Sequence, residues 1–174
     1  MKRIKVFLIL FFVLSFCDIA GAQTAKSLYS QANESLRSDK KDFAFIYFSS
    51  IVEKYPESRF AEDALFAVGE YYFEVADYYN AVDNFSSFVN KYPQSQARVF
   101  AMAYLLDIAV KRGKIKLIRE LEKKIVAFRQ FVFLFENSKE YYYLSPFAKE
   151  YKVVYFIEKV EFYIDGELFA KIFY

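Results

Sequence analysis

The chain has 174 residues and is nearly neutral, with 24 basic and 22 acidic residues, no histidine and a single cysteine. That length accommodates one or at most two small domains, and the charge balance lacks the basic excess of a nucleic-acid binder. Without histidine, Ser-His-Asp and Cys-His catalysis and most zinc sites are excluded, and no glycine-rich phosphate loop occurs.

The first residues read as a secretory leader. Lys2, Arg3 and Lys5 precede the apolar run Val6–Phe16, and Ala20-Gly21-Ala22 supplies a small-x-small cleavage site. The apolar run is too short to span a bilayer, which takes roughly 20 residues. The mature chain is expected to start at Gln23, with no transmembrane segment once the leader is removed. Leu14-Ser15-Phe16-Cys17 is an imperfect lipoprotein box, because a bulky Phe16 stands where a small residue belongs. A lipid anchor at Cys17 is therefore the alternative processing route.

Six helices are expected in the body of the chain. The first covers about 25–37 and the second about 41–54, with Asp39 as its cap. Ser58 is expected to cap a third at about 59–75, Asp77 a fourth at about 78–91, and Ser95 a fifth at about 96–112. Ala44, Phe48, Ile51 and Tyr55 fall on one face of the second helix, and Ala81, Phe85, Phe88 and Tyr92 repeat that face in the fourth.

The repetition is literal. FSSIVEKYPES (48–58) returns as FSSFVNKYPQS (85–95), a shift of 37 residues from Phe48 to Phe85. Periods of about 20–50 residues mark solenoids, whose units bury their apolar faces only by stacking. Leu65, Val68, Gly69, Tyr72, Ala81, Phe85 and Pro93 follow the tetratricopeptide pattern, with Leu65 in place of Trp and Val68 in place of Leu. Leu28, Ala32, Ala44, Phe48 and Pro56 form a first copy, and a degenerate third begins near Phe100. The chain thus resembles tetratricopeptide proteins of the bacterial envelope, such as the outer-membrane assembly lipoprotein and the Tol–Pal coordinator. The resemblance covers about residues 26–115.

Beyond Gly113 a long helix is expected over about 114–136. Its first half is amphipathic, and its second half, IVAFRQFVFLF, is apolar nearly all round, as in a buried or partnered helix. From about Tyr151 the pattern changes to strands at Lys152–Ile157, Glu161–Ile164 and Glu167–Phe173. Asp165-Gly166 between the last two is a strong type I′ hairpin signal.

The reading is a mainly α fold: a tetratricopeptide-like helical-hairpin solenoid followed by a long helix and a short C-terminal antiparallel β segment. Its expected divisions are a signal peptide at 1–22, repeats at 23–113, the long helix at 114–137 and a β-hairpin segment at 138–174.

No catalytic residue, metal or cofactor is expected. Glu62 with Asp63 and Glu120 with Glu122 read as solvated helix faces rather than acid–base pairs. The resemblance implies a concave groove lined by Tyr29, Asn33 and Arg37, then Asp63, Phe66, Glu70 and Phe73, then Ala103, Asp107 and Lys111. The first functional reading is a periplasmic or outer-membrane-associated scaffold holding a protein or peptide partner of the cell envelope in that groove. The second is a structural subunit that docks by β-augmentation through its C-terminal strands.

Overall fold

In the computed structural model, residues 24–127 and 138–174 are described. The leader, Cys17, Gln23 and the expected continuation of the long helix beyond Ala127 lie outside these residues.

Six helices follow one another: α1 (Ala25–Arg37), α2 (Lys41–Lys54), α3 (Ala61–Glu74), α4 (Tyr78–Lys91), α5 (Arg98–Lys111) and α6 (Ile115–Ala127). The expected spans of α1, α2 and α4 coincide with the observed ones, those of α3 and α5 agree to within two residues at each end, and the expected start of α6 agrees to within one.

The caps are a mixed result. Asp77 caps α4 as expected, its carboxylate accepting the Asn80 N–H at 3.2 Å. Asp39 does not cap α2. It sits at φ 55°, a turn conformation that Asp tolerates, and Lys40 takes the cap position without a side-chain bond. Ser58 does not cap α3 either: its carbonyl accepts the Ala61 N–H at 3.0 Å, and its hydroxyl has no partner. Ser95 Oγ accepts the Ala97 N–H at 3.0 Å, one turn ahead of the helix proper.

Equivalent positions of the two repeats do equivalent work. Ala44, Phe48 and Ile51 of α2 are buried against Leu28 and Ala32 of α1 and against Ala64 and Val68 of α3. Ala81, Phe85 and Phe88 of α4 are buried against α3 and α5. Ten of the fourteen residues of α5 are buried, so this helix is covered on nearly every side. Besides its neighbours α4 and α6, the C-terminal segment covers it.

That segment is a four-stranded antiparallel sheet in the order β1-β2-β3-β4: β1 (Ser138–Leu144), β2 (Glu150–Phe156), β3 (Lys159–Ile164) and β4 (Glu167–Phe173). The expected three strands are present, and β1 is an addition. Asp165 and Gly166 both have positive φ, 51° and 83°, as a type I′ turn requires. Because strand residues alternate between faces, Tyr151, Val153 and Tyr155 of β2 share a buried side with Val160 and Phe162 of β3 and Ile172 of β4. The opposite side carries Glu140, Tyr142, Lys152, Glu161, Tyr163 and Lys171. There Glu161 is held down to about 2 by hydrogen bonds from Lys159, and from Tyr163 and Lys171 as well.

Gly69 is the tightest point of the α3–α4 contact. A Cβ there would lie 2.8 Å from Phe85 Cε1, and Phe85 is fully buried and stacked on Tyr104 at 4.6 Å, so the ring has little room to yield. Alanine favours a helix interior over glycine by about 1 kcal/mol, yet Gly69→Ala is expected to lower the thermal midpoint. Gly69→Leu is expected to destabilise by about 1–3 kcal/mol or more. Thermal melts of both variants check this, and an unchanged midpoint for Gly69→Leu would contradict the contact.

Candidate functional site

The sequence-derived groove residues lie on α1, α3 and α5, the first helices of successive hairpins. Tyr29 and Asp63 meet, the phenol donating to Asp63 Oδ2 at 3.0 Å. Burial pushes the Tyr29 hydroxyl up to about 12, aided by the neighbouring Asp63 charge, and burial also raises Asp63. Asn33 donates to the Tyr29 carbonyl at 2.9 Å, and Arg37 is exposed. Asp107 and Lys111 pair with each other at 2.6 Å, and the Lys111 ammonium sits 4.9 Å above the Phe73 ring. Ala103 is buried.

Phe66 and Glu70 are a different matter. Both are fully buried, at 0% and 1% exposure. Over Phe66 lie the rings of Tyr143 and Tyr151, both edge-on, at 5.2 and 5.7 Å. Phe73 contacts Phe169 of β4 at 6.0 Å and Tyr104 of α5 at 4.6 Å. The inner side of the chain's own sheet therefore occupies the middle of the concave face.

A polar key sits within this apolar contact. Tyr151 donates to Glu70 Oε1 at 2.5 Å, and the Tyr104 hydroxyl lies 2.6 Å from that of Tyr151. Lys149, in the β1–β2 connection, reaches Glu74 Oε1 at 2.5 Å and Glu70 Oε1 at 3.9 Å. Lys41 of α2 holds the other oxygen of Glu74 at 3.2 Å. Glu70 Oε2 has no hydrogen-bond partner. Burial raises the Glu70 carboxyl to about 7, although Lys149 and Tyr151 pull it down. Burial also raises Glu74, but its ion pairs with Lys149 and Lys41 outweigh that and hold it below the usual range. Tyr151 and Tyr104 are pushed well up by burial, and next by the Glu70 charge, so they act only as neutral donors and acceptors.

Lys149, Tyr151 and Tyr143 escaped the sequence reading, which placed no strand before Tyr151. The signal was there: Tyr141–Tyr143 is an aromatic run of high strand propensity, followed by Ser145-Pro146, a turn-forming pair.

A family model described as outer membrane lipoprotein, YfiO, matches residues 22–124, well over half of the chain. The chain belongs to this family. The match places it at the outer membrane, on the periplasmic side, and covers the helical hairpins but not the sheet. No curated protein matches the chain significantly. Among the described residues of this YfiO-family chain, no helix is long and apolar enough to cross a membrane.

The Glu70 key has a pH consequence. A carboxyl raised from 4.5 to about 7 on folding favours the native state fully below its unfolded value. That contribution declines as pH rises through the folded value, and at about 1.4 kcal/mol per unit amounts to about 3 kcal/mol. Glu74 titrates lower, outside this window. Urea unfolding at about pH 5 and about pH 8 is expected to show wild type losing stability over the interval and Glu70→Gln losing far less. Equal losses would contradict the burial of Glu70.

Proposed function

We propose that this chain is a non-catalytic scaffold of the cell envelope whose partner docks on the C-terminal sheet by strand addition. The observation that carries this reading is the occupation of the concave face by the sheet itself. A ligand touching Phe66 or Glu70 would have to displace Tyr143, Tyr151 and Lys149. That supports the second of the two readings, β-augmentation, over a peptide held in the groove.

Strand addition needs an open edge and a place for alternate side chains. Among the described residues, β1 and β4 form the two edges. Beside β1 lies an open hollow of 390 Å³ lined by Gln96, Val99, Tyr141, Tyr142 and Tyr155. An extended segment paired with β1 would send every second side chain towards that hollow, where Tyr141 and Tyr155 offer aromatic surface and Gln96 a polar group. Tyr142 and Leu144, 62% and 65% exposed, flank the approach.

The lipoprotein description of the family also adds support to the acylated Cys17 route over simple cleavage before Gln23. Either route leaves residues 24–174 to act in the periplasm.

A photo-reactive phenylalanine analogue incorporated at Tyr142 is expected to capture a partner on illumination of intact cells. The same analogue at Phe43, an exposed residue of α2, is expected to capture none. Capture from Asn33 or Asp107 but not from Tyr142 would return the contact to the groove.

A further inference from the structure

The chain's charges are not evenly distributed. Every lysine of strands β2 to β4 is paired with a carboxylate: Lys152 with Glu140, and Lys159 and Lys171 with Glu161. At the α5–α6 turn the opposite holds. Arg112, Lys114, Lys116, Arg119, Lys123 and Lys124 form no ion pair among the described residues. Lys116, Arg119 and Lys123 are spaced by three and four, so they share one side of α6. That side is turned away from Leu121 and Ile125, which are buried. Glu120 and Glu122 are the acidic residues of this helix.

Apolar side chains stand among these cations. Val110, Ile115 and Leu117 are 57%, 63% and 40% exposed. Gly113, at φ 62°, makes the tight turn that brings the end of α5 and the start of α6 together at one tip. Behind the turn is an open hollow of 610 Å³, floored by Val82, Leu105, Ile108 and Ala109 and rimmed by Arg112, Lys114 and Lys116 against the single carboxylate Glu120. Aliphatic side chains flanked by unpaired cations match a bilayer interface, where apolar groups enter the acyl boundary and lysines reach the headgroups.

We propose that the α5–α6 turn is a contact site for an anionic phospholipid surface. Its cations offer charge complementarity to phosphate-rich headgroups, with each lysine or arginine near such a surface worth about 1 kcal/mol. The outer-membrane location of the family puts a bilayer within reach. This site is remote in sequence from β1, and the proposal stands whether or not strand addition does.

Sedimentation with vesicles tests it, using the chain from Gln23 without an acyl group. Binding is expected to vesicles containing about one-third phosphatidylglycerol and not to pure phosphatidylcholine, and it should weaken as salt rises from about 0.05 to about 0.5 M. Lys114→Glu/Lys116→Glu and, separately, Ile115→Ser/Leu117→Ser are each expected to reduce partitioning by about tenfold or more. All four residues are exposed, and thermal melts of both variants should match wild type. Absence of binding to the phosphatidylglycerol vesicles would overturn the proposal, as would binding that neither variant changes. Binding to polyglutamate without binding to vesicles would also overturn it and assign the patch to an acidic polypeptide.

Discussion

The structure depends on covering one surface. Three successive helical hairpins present Phe66, Phe73, Phe100 and Tyr104 on their inner side, together with the carboxylate Glu70. Left to solvent, this would be an apolar patch of the size that marks an interface in soluble proteins. Left in a dry contact without partners, Glu70 would cost several kcal/mol. The sheet answers both demands at once. Tyr143, Tyr151 and Phe169 cover the rings, and Tyr151 and Lys149 supply a hydrogen bond and a nearby positive charge to the carboxylate.

The dependence is mutual. A sheet with one apolar side must bury that side against a second layer. Val153, Tyr155, Val160, Phe162 and Ile172 find that layer in α5 and α6, and the Tyr155 hydroxyl reaches the Ile125 carbonyl at 3.4 Å. Helices α3 to α6 and the sheet therefore share one core, next to a second one formed by α1, α2 and α3. The same fact shifts the search for binding surfaces outward, to the strand edges and the unpaired cations of the α5–α6 turn.

How much of this was legible depended on the range of the interaction. The duplicated FSSxVxKYPxS segment disclosed the hairpins because solenoid packing is local and repeats with the sequence. Asp165-Gly166 disclosed its turn because positive φ at two successive residues restricts the choice of side chains. Caps were less legible. Asp39 and Ser58 have suitable chemistry, but their backbone geometry is set by the preceding turn. Of the groove positions expected on α1, α3 and α5, the burial of Phe66, Glu70 and Ala103 was not foreseeable from spacing. Glu70 looks like any polar residue on a helix face. Its partner Tyr151 is 81 residues away, and no local pattern links the two. The β1 strand was missed for a related reason: its exposed edge bears Lys139, Glu140 and three tyrosines, without the alternation that identifies a half-buried strand.

The docking of the sheet on the helices is tested most directly by zero-length carbodiimide cross-linking of the folded chain, read by peptide mass spectrometry. Lys149 and Glu74 are in contact at 2.5 Å, and both side chains are partly accessible, at 18% and 27%. Within monomeric protein, an amide bond between Lys149 and Glu74 is the predicted product, alongside one between Lys41 and Glu74. Glu74 joined only to Lys41, with Lys149 linked to neither Glu74 nor Glu70, would contradict the account.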